Sequence, residues 1–191
     1  DSVINIGHSA FNGCISLESV TLSNNMTDIA WDMFKGCTSL SSITIPNSVT
    51  KICSNAFRDC KSLKNITIPE NVESIESNAF SGCESITSII IPDSVTSISS
   101  SVFNGCISLE SITIPFVGQS IKPETYYQFP FGHIFGGTEY TGGIAITQTY
   151  YANLTDKTTT STYYIPSSLK RVTVTGGGIL LGAFENCSSL T

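Results

Sequence analysis

A 23-residue period constrains this chain more than any other feature. Phe11, Phe34, Phe57, Phe80 and Phe103 recur at that spacing, and a cysteine follows each three residues later, at Cys14, Cys37, Cys60, Cys83 and Cys106. A serine comes next (Ser16, Ser39, Ser62, Ser85, Ser108), then Leu17, Leu40, Leu63, Ile86 or Leu109. Alternating aliphatics continue each unit, as Val20/Leu22, Ile43/Ile45, Ile66/Ile68, Ile89/Ile91 and Ile112/Ile114. Proline follows four of them, at Pro46, Pro69, Pro92 and Pro115. A second apolar pair precedes each phenylalanine: Val3/Ile6, Met26/Ile29, Val49/Ile52, Val72/Ile75 and Val95/Ile98. Agreement at so many positions over successive copies marks a repeat array.

The local physics of one unit follows from its residue types. Alternating apolar positions suit a strand with one buried face, and Val, Ile and Thr suit its pleated surface. Proline cannot donate to a ladder, so it ends the strand and turns the chain. The returning stretch is too short and too rich in serine for a long helix. A short strand or irregular turn is expected there, with at most a single helical turn. One unit cannot bury its own apolar face, whereas units stacked at about 4.8 Å can. The Phe, Cys, Leu and Ile positions then become columns inside a β-rich solenoid.

Residues 37 to 60, CTSLSSITIPNSVTKICSNAFRDC, show the pattern best. It resembles the BspA-like class of leucine-rich repeats, over about residues 1–115 and again over 167–191. The resemblance implies a right-handed superhelix of 23-residue coils with a parallel β-sheet on its concave face. It also implies a secreted or cell-surface protein of a host-associated microbe, of a kind credited with adhesion to host proteins or other cells. It brings no catalytic residues and no fixed binding positions.

The period breaks after Pro115. The next Ala-Phe-x-x-Cys is Ala183, Phe184 and Cys187, which leaves 58 residues beyond one period. Residues 116–166 therefore read as an insertion, and 167–191 as a resumed, truncated repeat. All seven tyrosines fall in that stretch: Tyr126, Tyr127, Tyr140, Tyr150, Tyr151, Tyr163 and Tyr164. Ile144–Tyr151 and Thr158–Ile165 read as two strands of a hairpin around a polar turn at 153–157. Phe129 to Gly137 reads as a compact aromatic loop. Tyrosines on such an insertion suit protein or sugar contacts. Alternatively, the rings pack against the edge of the solenoid as the small core that 58 residues require.

Six of the seven cysteines fall on the repeat position, and Cys53 alone is off it. That spacing predicts a column of buried free thiols rather than a disulfide framework. No C-x-x-C occurs, and only His8 and His133 could add imidazole, so a zinc site is not expected and no cofactor is implied. Either histidine would have to serve as the base of a Cys–His or Ser–His–Asp enzyme. His8 aligns with Trp31, Ser54, Ser77 and Ser100 on an exposed outer position, and His133 lies in the aromatic loop. Gly176-Gly177-Gly178 lacks a phosphate-loop pattern. The chain is not expected to be an enzyme.

Charge bears on partners. The net charge is −6 and the nine basic residues are scattered, unlike the clustered stripe that a nucleic acid needs. No apolar run approaches the roughly 18 residues of a membrane span. Three outward-facing columns are expected beside the buried strand positions. Thr21, Thr44, Thr67, Ile90, Thr113 and Thr173 form the first, a ladder expected to stabilise the sheet. Ser19, Ser42, Asn65, Ser88, Ser111 and Arg171 form the second. The third, Glu18, Ser41, Lys64, Thr87, Glu110 and Lys170, varies most and is the first candidate for recognition, beside Tyr126, Tyr127, Tyr150, Tyr151, Tyr163 and Tyr164. Asn25, Asn65, Asn153 and Asn186 begin N-x-S/T sequons, which arise easily in a Ser/Thr-rich chain.

The expected function is an interaction module for a protein or glycan on a host or neighbouring cell. A stiff spacer within a larger surface protein is the alternative, and carbohydrate binding through the tyrosines a weaker one. The chain stops where the next strand would begin, so its last coil is expected to need a cover, from further repeats or from self-association with another copy.

Overall fold

The computed structural model describes residues 2–118, 120, 129–151, 158–177, 179 and 182–191. Its coils stack one on the next, with a ladder of buried side chains at their centre and parallel sheets on two sides. On one side β1 (Asp28–Ile29), β2 (Lys51–Ile52), β3 (Ser74–Ile75) and β5 (Ser97–Ile98) pair in parallel in that order. These are the short strands formed by the second apolar pair of each unit. On the other side β4 (Ser88–Ile90), β6 (Ser111–Ile114) and β9 (Arg171–Val174) form a parallel sheet. The L-x-x-I-x-I strand expected in every coil is thus continuous only toward the end of the stack. Coils two and three contribute just the Ser42–Asn65 bridge there.

Register is constant at one period. Ile29 pairs with Ile52, Ile52 with Ile75 and Ile75 with Ile98, while Ile112 lies between Ile89 and Val172. Rings of Phe11, Phe34, Phe57, Phe80 and Phe103 stack face to face at 5.3, 5.5, 5.4 and 5.8 Å, with planes within 10° of parallel. From Phe34 to Phe103 each is fully buried, which contributes about 2–3 kcal/mol per ring. The backbone is tied at the same level. Phe34 N–H donates to Ala56 O, Phe57 to Ala79 O and Phe80 to Val102 O, at 2.8 to 3.0 Å.

The cysteines form a second column. Cys37, Cys60, Cys83 and Cys106 donate their thiols to the carbonyls of Phe11, Phe34, Phe57 and Phe80 in the preceding coil, at 3.1 to 3.2 Å. All seven thiols are free; Cys14 is exposed and Cys187 half-buried. Burial pushes Cys60 and Cys106 up to about 12. Off the repeat position, Cys53 is buried one residue after β2 and is pushed up to about 11, first by burial and then by the Glu76 charge.

The long excursion after Pro115 supplies its own level of this stack. Phe103 N–H donates to Ile134 O, the bond that Met33, Ala56, Ala79 or Val102 receives elsewhere, and the following Phe135 lies against Phe103 at 6.3 Å. A 3-10 turn, Phe131–Ile134, carries Phe131, whose N–H donates to Ala183 O and whose ring meets Phe184 at 5.0 Å. Phe131 and Phe135 are both fully buried. Together they span the level that one phenylalanine fills in the regular coils.

An antiparallel hairpin follows, β7 (Gly143–Tyr151) and β8 (Thr158–Pro166), with Ile146 opposite Tyr163. It docks through Gln148, which is fully buried. Gln148 Oε1 accepts from Gly132 N–H, and Nε2 donates to the carbonyls of Ala183 and Glu185. Gly132 is required by close approach, since a Cβ there would fall on the Tyr163 ring. Ser168 Oγ then bonds the carbonyls of Ile107 and Leu109, which returns the chain to the stack before β9.

Candidate functional site

The site begins with strand alternation. Ile43 and Ile45 point inward and are buried, so Ser42 and Thr44 point out; the same holds at 65/67 and 88/90. Glu18, Ser41, Lys64, Thr87, Glu110 and Lys170 are all exposed. Backbone bonds align them: Ser41 N–H donates to Glu18 O, Lys64 to Ser41 O, Glu110 to Thr87 O and Lys170 to Glu110 O. Among the described residues, Glu18, Lys64 and Glu110 enter no ion pair. Lys170 Nζ reaches only the nearby Ser167 carbonyl at 3.3 Å.

Beside this column the strand face holds an open groove of about 540 Å³, with Ser19, Ser42, Thr44, Asn65, Thr67 and Pro69 among its walls. A second, of about 340 Å³, lies one coil further on and includes Ser88 and Ile90. The threonine ladder is broken at Ile90, 67% exposed, the one aliphatic in that column. The face therefore offers hydroxyls and amides with a row of unpaired charges along its rim and an apolar step at Ile90. Its chemistry is that of hydrogen-bond donors and acceptors set beside fixed charges.

The tyrosines are placed unequally. Tyr126 and Tyr127 lie outside the described residues, as does the side chain of Tyr151 at the end of β7. Tyr163 is buried, and burial pushes its phenol up to about 12. Tyr164 is half-buried, and its carbonyl accepts from the Tyr140 hydroxyl at 3.0 Å. Tyr150 is half-buried, tilted against Phe129 at 5.7 Å, with its hydroxyl 3.3 Å from Ser161 Oγ. Among the described residues, Tyr150, Tyr163 and Tyr164 are thus buried or half-buried against the protein. The hairpin turn at 153–157 also lies outside the described residues.

The histidines are far apart in role. His8 is exposed and stacks on Trp31 at 4.9 Å. His133 stacks on Phe129 at 4.1 Å, and burial lowers it to about 4, so it is neutral at pH 7. Among the described residues no group of three or more His, Cys, Asp or Glu could hold a metal ion, and no helix is long and apolar enough to cross a membrane. Two contacts escape a periodic reading: Gln148, inside the insertion, and Trp31, which bonds Glu76 across two coils.

Comparison with known proteins agrees with this geometry. The BspA type leucine rich repeat region matches in six copies over residues 4–132. A leucine rich repeat protein of T. pallidum, TpLRR, is 32% identical with a TM-score of 0.57, over 60% of this chain and 56% of that one. A leucine-rich repeat protein from Bacteroides ovatus is 24% identical, TM-score 0.53, over 90% of this chain and 43% of that one. The pneumococcal vaccine antigen PcpA is 19% identical, TM-score 0.54, over 85% of this chain and 41% of that one. The last two show likeness of fold. The chain spans about half the length of these structures. No curated protein matches it significantly. The six matched copies, over two thirds of its residues, place this chain in the BspA-type leucine-rich-repeat family.

Proposed function

We propose that this chain is a non-catalytic interaction module of a secreted or cell-surface protein, a right-handed solenoid that binds a macromolecule on a host or neighbouring cell. The contact surface is the concave strand face, read along Glu18, Ser41, Lys64, Thr87, Glu110 and Lys170. One observation carries the reading: these six positions are aligned and exposed, and four of them carry charges of differing sign, beside two columns in which nine of twelve positions are Ser or Thr. Uniform columns build a sheet, whereas a varied row of unpaired charges on a rigid support encodes specificity.

The test is binding of the labelled chain to cultured epithelial cells and to surfaces coated with extracellular-matrix proteins. Charge reversal at Glu18, Lys64, Glu110 and Lys170 together should abolish most binding while leaving the melting temperature within a few degrees. Binding that survives the reversal but is lost with Tyr150→Ala would move recognition to the hairpin. No binding by the unaltered chain would favour the spacer, a reading supported by the unbroken stack of rings from Phe11 to Phe103.

A further inference from the structure

Trp31 is the single tryptophan of the chain, and 51% of its surface is exposed. Tryptophan is highly buried on average, so this exposure needs an account. The ring is not loosely held. One face stacks on His8 with planes 18° apart, and Nε1 donates to Glu76 Oε2 at 3.0 Å. That carboxylate is fixed in turn: Ser54 N–H and Ser54 Oγ donate to the same oxygen at 2.9 and 3.0 Å, and Lys51 Nζ lies 2.6 Å from Oε1. Burial alone would raise the Glu76 carboxyl, but bonds from Lys51, Ser54 and Trp31 outweigh it and hold the group below its ordinary value.

The surroundings are polar. In the next coils Ser54, Ser77 and Ser100 occupy the repeat position of Trp31, so no bulky side chain follows the indole along its column. Binding capacity remains at the ring's edge. Lys51 has three donors, one engaged by Glu76, and its side chain is 40% exposed; Glu76 Oε1 accepts from Lys51 alone among the described residues. A protein hot spot centres on an aromatic within a well-packed, desolvated patch. An immobilised indole beside the Ser54 hydroxyl, an ammonium and a carboxylate fits a sugar better. A pyranose has one face of C–H groups and a rim of hydroxyls, each a donor and an acceptor.

We propose that Trp31, Glu76 and Lys51 form a saccharide-binding site, separate from the strand face. The indole stacks on the C–H face of a neutral pyranose, Glu76 Oε1 accepts from one hydroxyl, and Lys51 Nζ donates to its neighbour. His8 buttresses the ring. Because the platform is already ordered, little conformational freedom is lost on binding.

The sole tryptophan makes the site its own reporter. Neutral hexasaccharides of glucose, xylose, mannose and galactose would be titrated against the chain by tryptophan emission and by calorimetry. At least one should shift the emission and bind with a dissociation constant of about 10 μM to 1 mM. By calorimetry Trp31→Ala should weaken that binding about tenfold or more. Trp31→Phe, which keeps a ring, and Glu76→Gln should each weaken it about threefold, and Tyr150→Ala should leave it unchanged. Melting curves check that each variant folds. The proposal is overturned if no hexasaccharide gives a signal, if Trp31→Ala binds as the unaltered chain does, or if Tyr150→Ala alone removes binding.

Discussion

The side-chain oxygen of Gln148 accepts the backbone N–H of Gly132 at 2.7 Å. Gln148 lies in the hairpin and Gly132 in the 3-10 turn, so this amide joins the two halves of the excursion, beside the Tyr164 N–H bond to Gly136 O. Its other end donates to Ala183 O and Glu185 O in the last coil. The hairpin is thereby part of the stack.

Gln148→Ala should therefore destabilise the chain by about 2 kcal/mol, because it strands the buried Gly132 N–H, while Ala183 O keeps the Phe131 N–H. Gln148→Glu keeps the shape but sets a carboxylate against two carbonyls, and should cost at least as much. Chemical denaturation of the two variants beside the unaltered chain checks both outcomes.

Thiol reactivity follows from the cysteine column. Cys37, Cys53, Cys60, Cys83 and Cys106 are buried, and burial raises every one of them, so little thiolate exists at pH 8. A chromogenic disulfide reagent should modify Cys14 quickly and half-buried Cys187 slowly. All seven cysteines should react in denaturant. Five or more fast thiols in the folded chain would contradict the column.

Two residues after the phenylalanine the backbone is left-handed, and Gly13, Gly36, Gly82 and Gly105 meet that demand; Asp59 stands there instead, at φ +60°. Asp59→Gly should raise stability by about 1 kcal/mol. Gly82→Ala should lower it by about 1–2 kcal/mol, since its φ is +73° and its new Cβ would meet Asp59 Oδ1. The second cost should shrink in the Asp59→Gly background, and a double-mutant cycle measures that coupling.

His133 predicts a pH dependence. Burial lowers its folded pKa to about 4 from the ordinary 6.5. Between those values the unfolded chain binds a proton that the folded chain excludes, so stability falls as pH falls through the window. The loss attributable to His133 approaches about 3 kcal/mol near pH 4. His133→Phe should remove that part of the slope, and paired urea titrations at pH 7 and pH 4.5 measure the difference.

The interior of the regular coils is legible in the sequence because each buried position recurs where its neighbour in the next coil also needs cover. Phe57 and Cys60 announce their burial through Phe34 and Cys37. Phe131 and Phe135 do not. They fill one level of the same column from a segment with a different spacing, and nothing local distinguishes them from an aromatic loop. The outward columns are equally readable from strand alternation. Burial of Tyr163 is not, since it depends on Gly132 in another segment. The Trp31–Glu76 bond spans 45 residues and two coils, so it depends on coil spacing and on Ser54 being small.

Neighbouring coils share one interior, and hydrogen exchange in the folded chain tests this most directly. The N–H groups of Phe34, Phe57 and Phe80 each donate into the following coil. They should exchange only through global unfolding, at rates that follow the denaturant dependence of overall stability. Exchange of these three amides at the rates of an unstructured peptide would contradict the stacked-coil structure.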